Sequence, residues 1–137
     1  MSLLLEIIVG HTAVISMNNP PANTWTAQSL QELKEKVLKL NDNKEVYALV
    51  ITGEGEKFFS AGADLKLFAD GDKSNAADMA RYFGEAFETL SAFRGVSIAA
   101  INGYAMGGGL EVALACRSAS LCRRYPKPNS ISRRRLD

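Results

Sequence analysis

Residues 97–111 have the sequence SIAAINGYAMGGGLE, in which an apolar run leads through an Asn-Gly turn and three glycines into a helix-forming segment. The run 97–101 predicts a buried strand, and the small apolar segment from Gly108 to Cys116 predicts a helix that begins inside the glycine run. N–H groups at a helix start have no intrahelical acceptor and carry the positive end of the helix dipole. This stretch therefore predicts a site for an anion or a developing oxyanion, with Glu111 on the first helical turn.

Other glycine-rich motifs do not fit this spacing. Ala105 stands where a dinucleotide-binding fingerprint needs its second glycine and where a hydrolase elbow needs its serine. Leu110 follows Gly109, where a P-loop needs lysine. For Glu111 the alternative is a first-turn glutamate that only stabilises the helix dipole.

A second candidate site is the segment 59–65, FSAGADL, which follows another apolar run at residues 46–52. Its small residues allow a ligand to approach the main chain, and loops at strand ends bind ligands in open α/β sheets. The alternative is a tight turn that leads into a short helix.

Hydrophobic periodicity predicts the remaining elements. We expect a strand pair at residues 3–9 and 12–17, a helix over 26–40, a strand over 46–52 and a helix over 75–93. The resulting order, β-β-α-β-α-β-α, favours a layered α/β fold with right-handed crossovers.

Composition limits the class of protein. A chain of 137 residues with 47% hydrophobic residues is long enough for one domain. The N-terminal residues do not have the pattern of a secretory signal, and no apolar run reaches membrane-spanning length. Cys116 and Cys122 are the only cysteines, too few for a disulfide framework or a metal site. We therefore expect a cytoplasmic protein without a metal ion and without a membrane partner.

Charge divides the chain after Cys116. Residues 1–116 hold 9 of the 16 Lys and Arg and 14 of the 15 Asp and Glu, a net charge of −5, whereas residues 117–137 have a net charge of +6. Apolar periodicity also stops there, so we expect a core at 1–116 and a disordered basic tail at 117–137. A phosphate-binding or nucleic-acid-binding arm is the alternative for this tail.

Together the two candidate segments resemble the paired signatures of the enoyl-CoA hydratase/isomerase (crotonase) family, FxAGADL followed later by N-G-Y-A-x-G-G-G and a helix with a glutamate. The loop NNPPANTWT also resembles the family, so the resemblance covers about Leu4 to Cys116. It implies an α/β, crotonase-like (ClpP/crotonase) spiral of ββα units, assembled as a homotrimer or hexamer. A full-length member is nearly twice as long, so the resemblance implies an N-terminal, truncated portion of the fold.

The resemblance also implies roles for particular residues. The N–H groups of Ala63 and Gly108 match the oxyanion hole that binds the acyl thioester oxygen, and Glu111 matches the first of two catalytic glutamates. The positions around coenzyme A are Ala61, Ala63, Asp64, Leu65, Lys66 and Gly108. The implied partner is an acyl-CoA substrate; coenzyme A is part of that substrate, and no separate cofactor is expected.

The implied activity is hydration of trans-2-enoyl-CoA to 3-hydroxyacyl-CoA in fatty-acid or related acyl-CoA degradation. The chain departs from the family pattern because no carboxylate lies between Glu111 and Asp137, where hydratases have their second glutamate. A double-bond isomerase, which can operate with one glutamate, is therefore an alternative. A catalytically incomplete CoA-binding fragment is another, and a nucleic-acid binder that uses the basic tail is the alternative from a different class.

Overall fold

The computed structural model describes residues 3–64 and 73–122, which form a layered α/β domain. Its elements in chain order are β1 Leu4–Val9, β2 Thr12–Met17, α1 Ala27–Asp42, β3 Ala48–Gly53, β4 Phe58–Ser60, α2 Lys73–Ser91, β5 Val96–Ile101, β6 Tyr104–Ala105, α3 Gly108–Ala115 and β7 Ser118–Leu121. The predicted strand pair, the two further strands and the three helices are confirmed, with bounds that differ by one or two residues.

The strands form two sheets. The larger sheet has the order β1-β2-β3-β5-β7, with β1 antiparallel to β2 and the other pairs parallel. Strands β4 and β6 form a separate two-stranded parallel sheet. The described residues thus contain the unit ββα three times, as β1-β2-α1, β3-β4-α2 and β5-β6-α3, which confirms the crotonase-like arrangement that the resemblance implied.

Alternation along the strands places the core on one face of the larger sheet. Ile15 of β2 and Ile51 of β3 are fully buried, as are Leu30, Leu33 and Val37 at helical spacing on α1. Such spacing gives a helix one apolar side that packs on a sheet. Helix α2 lies against both α1 and α3, so the three helices form one layer.

Helix α1 begins where a side chain satisfies its free N–H groups. Thr26 is the N-cap, and its hydroxyl accepts a hydrogen bond from the Ser29 N–H at 3.1 Å. The Ser29 hydroxyl in turn accepts one from the Thr26 N–H at 2.9 Å. This reciprocal pair is a capping box, which satisfies two N–H groups at the start of the helix.

Three short strands were not predicted. β4 and β6 are too short for any periodicity to appear, and both lie in segments interpreted as loops. β7 lies inside the predicted disordered tail, yet Ser118–Leu121 pair with β5. Open backbone groups of an edge strand bind another strand largely independently of its side-chain polarity, which explains a strand without apolar alternation. The ordered chain therefore extends beyond the predicted boundary at Cys116.

The rest of the predicted tail, residues 123–137, lies outside the described residues. Every helix in residues 3–64 and 73–122 is too short or too polar to span a membrane.

Helix α2 contains one glycine whose replacement should stabilise the domain. Gly84 is exposed, and a Cβ added there would have no neighbour within 4 Å. We expect Gly84→Ala to raise the free energy of unfolding by about 0.5–1 kcal/mol, because glycine loses more backbone entropy in a helix than alanine. Urea unfolding followed by circular dichroism measures the change. Gly10→Ala is the matched control: its Cβ also has open space, but φ is +61°, so that variant should lose stability.

Candidate active site

The segment that contains the FSAGADL motif is held between two neighbouring parts of the chain. Trp25 and Ala63 form a parallel bridge, in which the Trp25 N–H donates to the Gly62 oxygen at 2.8 Å and the Asp64 N–H donates to the Trp25 oxygen at 3.1 Å. On the other side of the segment, the Ser60 oxygen accepts from the Met106 N–H at 3.0 Å. These bonds tie the FSAGADL segment to the loop before α1 and to the start of the glycine run.

The bridge sets the direction of the Ala63 N–H. Because the Gly62 carbonyl and the Asp64 N–H both face Trp25, the N–H of the intervening Ala63 faces the opposite side of the chain. No atom of residues 3–64 and 73–122 accepts a hydrogen bond from this N–H. It is therefore a donor that the described part of the protein leaves available to a ligand.

Gly62 brings this segment into direct contact with the start of α3. A Cβ added to Gly62 would lie 2.9 Å from the Gly108 nitrogen and 3.0 Å from the Met106 oxygen, so no side chain fits between them. Gly62 also has φ of +97°, a conformation that favours glycine. Because Ala63 follows Gly62 directly, the two amides that the sequence singled out, Ala63 and Gly108, lie on adjacent main-chain segments.

The Gly108 amide lies at the N-terminus of α3. Gly107 is the N-cap, with φ of +52° and no side chain to cap the helix, and its carbonyl accepts from the Glu111 N–H at 3.1 Å. Within the described ranges, the Gly108 N–H has no hydrogen-bond acceptor. An unpaired N–H at the positive end of a helix dipole favours a negatively charged oxygen.

Glu111 is on the first turn of α3, where the sequence predicted it. It follows Gly108 by three residues, a spacing that places both on one side of a helix. Its side chain is exposed, and within the described part of the chain its carboxylate makes no hydrogen bond or ion pair. The carboxylate is thus available to a substrate or to a water molecule.

The other predicted coenzyme A positions are only partly described. The Ala61 N–H donates to the Ala22 oxygen at 2.9 Å, so this amide is already used within the fold. Asp64 is half-buried, and its N–H is used by the Trp25 bridge. Leu65 and Lys66 lie outside the described residues.

Asn102 supports the site, a role that sequence analysis did not assign. Its side-chain oxygen accepts from the Gly53 N–H at 3.1 Å, and its nitrogen donates to the oxygens of Gly53 at 2.9 Å and Gly55 at 3.1 Å. These bonds join the end of β3 to the turn between β5 and β6. The Asn-Gly turn in the sequence was the one available signal, since it marked the position but not the partners.

Removing these bonds should destabilise the domain. We expect Asn102→Ala to lower the free energy of unfolding by about 2 kcal/mol, because the buried Gly53 groups lose their partner. Urea denaturation of the purified variant measures the loss. Gln28→Ala, at an exposed position of α1, is the control and should change stability by less than about 0.5 kcal/mol.

The buried thiol of Cys116 does not offer an alternative nucleophile. Burial raises the pKa of the Cys116 thiol to about 12, so this thiol stays protonated at neutral pH and is a poor nucleophile. No group of three or more His, Cys, Asp or Glu side chains in residues 3–64 and 73–122 is arranged to hold a metal ion.

Comparison with known proteins agrees with this fold. The family model for enoyl-CoA hydratase/isomerase matches residues 9–123. The chain is 44% identical over 101 residues to the carnitinyl-CoA dehydratase of Citrobacter koseri, an alignment that covers 74% of this chain and 38% of that protein. To the carnitinyl-CoA dehydratase of Escherichia coli strain K12 it is 42% identical over 106 residues, which covers 77% of this chain and 40% of the relative.

Solved structures give the same result. Pseudomonas aeruginosa DspI superposes with a TM-score of 0.85 at 62% identity, covering 87% of this chain and 49% of that one. The enoyl-CoA hydratase from Bacillus anthracis superposes with a TM-score of 0.83 at 32% identity, covering 86% of this chain and 46% of the other. The chain therefore spans half or less of the length of each of these relatives.

Proposed function

Because this chain belongs to the enoyl-CoA hydratase/isomerase family, we propose that it acts on acyl-CoA thioesters and hydrates trans-2-enoyl-CoA to 3-hydroxyacyl-CoA. The reaction belongs to fatty-acid or related acyl-CoA degradation. The observation that carries the proposal is the contact of Gly62 with Gly108, in which a Cβ on Gly62 would lie 2.9 Å from the Gly108 nitrogen. That contact supports the proposal, because it brings the segment that contains Ala63 against the helix start at Gly108.

In this proposal the thioester oxygen accepts hydrogen bonds from the Ala63 and Gly108 N–H groups. Attack of water at C3 of the enoyl group moves negative charge onto that oxygen, which becomes an enolate. Preorganised donors stabilise such charge more than they stabilise the neutral carbonyl, so they lower the barrier. Loss of one such donor typically raises a barrier by about 2.7–4 kcal/mol.

Glu111 supplies acid–base chemistry in this proposal. Its carboxylate takes a proton from the water that attacks C3, and a proton is then delivered to C2 of the enolate to complete the addition. The exposed carboxylate, one turn after Gly108, supports this role, since a base must reach both the water and the acyl chain. Around the substrate, we propose that Ala61, Asp64, Leu65 and Lys66 lie along coenzyme A, and that no separate cofactor takes part.

A double-bond isomerase is the second candidate, and a specific observation favours it. The sequence has no carboxylate between Glu111 and Asp137, so a second glutamate like that of hydratases is missing from this stretch. An isomerase needs one base that removes a proton from C2 of a 3-enoyl-CoA and returns it to C4. The same two amides would stabilise the enolate in this reaction.

One pair of assays separates these activities. The purified chain is incubated with crotonyl-CoA, and hydration appears as a loss of absorbance at the enoyl thioester band. With a trans-3-enoyl-CoA, isomerisation appears as a gain at the same band. Calorimetric titration with the acyl-CoA reports binding without turnover. Binding alone would support the incomplete CoA-binding fragment, and absence of both binding and turnover would rule out the proposal.

The basic tail allows a test of the other alternative, that the protein is a nucleic-acid binder. Nucleic-acid binding through the tail would weaken steeply as salt concentration rises. We expect a chain that lacks residues 123–137 but keeps β7 to show the same weak affinity for duplex DNA as the intact chain at physiological salt. A loss of tight, salt-dependent binding on deletion would favour the nucleic-acid binder.

A further inference from the structure

Phe83 of α2 lies directly against Gly108. A Cβ added to Gly108 would lie 2.7 Å from Cε1 and 2.9 Å from Cζ of the Phe83 ring, and the next nearest atom is the Gly62 Cα at 3.6 Å. The ring is half-buried and packs on Phe87, one helical turn away, with 5.4 Å between ring centroids. Gly108 is therefore enclosed between Gly62 on one segment and the ring of Phe83 on another.

The glycine run needs such outside support. Glycine has no side chain of its own to anchor it, and its backbone has more accessible conformations than that of any other residue. At Gly109 the support is the Ser60 carbonyl, since an added Cβ would lie 2.2 Å from its oxygen. At Gly107 an added Cβ would meet nothing within 4 Å. The position of the Gly108 amide thus depends on its neighbours.

We propose that Phe83 is a positioning residue, whose ring holds the Gly108 amide where the thioester oxygen of the substrate needs a donor. The proposal rests on the proposed function for its catalytic consequence, but the packing on which it depends exists without substrate. A side chain at position 108 would meet the Phe83 ring, so the two residues are sterically linked. Unlike Gly62, Gly108 does not have a positive φ, so its backbone conformation is open to alanine.

The first test measures the amide itself. In the substrate-free 137-residue chain, ¹⁵N relaxation of Gly108 should give an order parameter near 0.85, typical of rigid backbone, and Phe83→Ala should lower it toward about 0.6. Phe87→Ala removes an equal ring from the same helix without removing the ring that touches Gly108. It should lower the order parameter less than Phe83→Ala does. An unchanged Gly108 order parameter in Phe83→Ala overturns the proposal, whether or not the chain turns over a substrate.

The second test measures turnover. Phe83→Ala should lower kcat for crotonyl-CoA by about tenfold with KM changed less than about twofold, because a displaced donor weakens transition-state binding more than ground-state binding. Phe83→Leu, which keeps an apolar group against Gly108, should recover most of the rate. If Phe83→Ala makes the Gly108 amide mobile but leaves kcat unchanged, the proposal is also overturned. A wild-type chain without turnover would count against the proposed function alone, and the order parameter would then decide on Phe83.

The third test uses the steric relation between the two residues. Gly108→Ala keeps the N–H but pushes its Cβ against the Phe83 ring, so kcat should fall. In the double variant Gly108→Ala with Phe83→Ala, the new methyl group enters the space that the ring has left. We therefore expect the double variant to be more active than Gly108→Ala alone, because removal of the ring relieves the clash. If the loss of kcat in the double variant equalled the sum of the losses in the two single variants, expressed as free energies, the proposal would be contradicted.

Discussion

Replacing Glu111 with glutamine is expected to lower kcat for hydration of crotonyl-CoA by about 10²- to 10⁴-fold, the usual contribution of general acid–base catalysis. Glutamine has nearly the same shape as glutamate but cannot take a proton at neutral pH. Because Glu111 is exposed and makes no hydrogen bond or ion pair with the described residues, stability and KM should change little. Steady-state rates at the enoyl thioester band, with urea unfolding of the same samples, measure both quantities.

This variant also separates the two interpretations of Glu111. A first-turn glutamate that only interacts with the helix dipole would contribute about 0.3–1 kcal/mol to stability and nothing to the rate. Glu35→Gln is the matched control, an exposed glutamate on α1 that should leave kcat unchanged. If Glu111→Gln retains more than about a tenth of the wild-type kcat, Glu111 is not the catalytic base.

Local patterns predicted the parts of the fold whose formation depends on local sequence. The apolar spacing on α1 and the apolar runs of β2 and β3 predicted a helix and two strands with nearly the observed bounds, because these residues contribute to the core. The helix start inside the glycine run was also predicted, since helix formers follow it directly. These elements can be predicted from local sequence because their apolar pattern continues over several helical turns or along a whole strand.

The parts that were missed depend on contacts between distant segments. β4 and β6 have too few residues for a pattern, and they pair with each other across α2. β7 has no apolar alternation and takes its place through main-chain bonds to β5. Likewise, nothing in the sequence around Phe83 indicates that its ring reaches Gly108. The candidate site was recognised from two motifs, but only the fold gives the contacts that hold them together.

Gly62→Ala is expected to lower kcat by about 10²- to 10³-fold, the effect of losing an oxyanion donor. Alanine at this position is strained at φ of +97°, and its Cβ would lie 2.9 Å from the Gly108 nitrogen. Both atoms in this clash belong to the main chain or are fixed to it, so no side chain can move aside. The Ala63 and Gly108 segments must therefore separate, which moves at least one donor away from the proposed position of the thioester oxygen.

The backbone strain of alanine at position 62 needs a separate control, because an unfavourable φ alone destabilises a protein by about 1–3 kcal/mol. Gly55→Ala provides it: φ there is +90°, but an added Cβ would have no neighbour within 4 Å. Both variants should unfold at lower urea concentration than wild type, and only Gly62→Ala should lose turnover, measured with crotonyl-CoA where both remain folded. Gly62→Ala and Gly55→Ala differ chiefly in the contact with Gly108. If both variants had the same kcat, the close approach of Gly62 to Gly108 would not control the reaction.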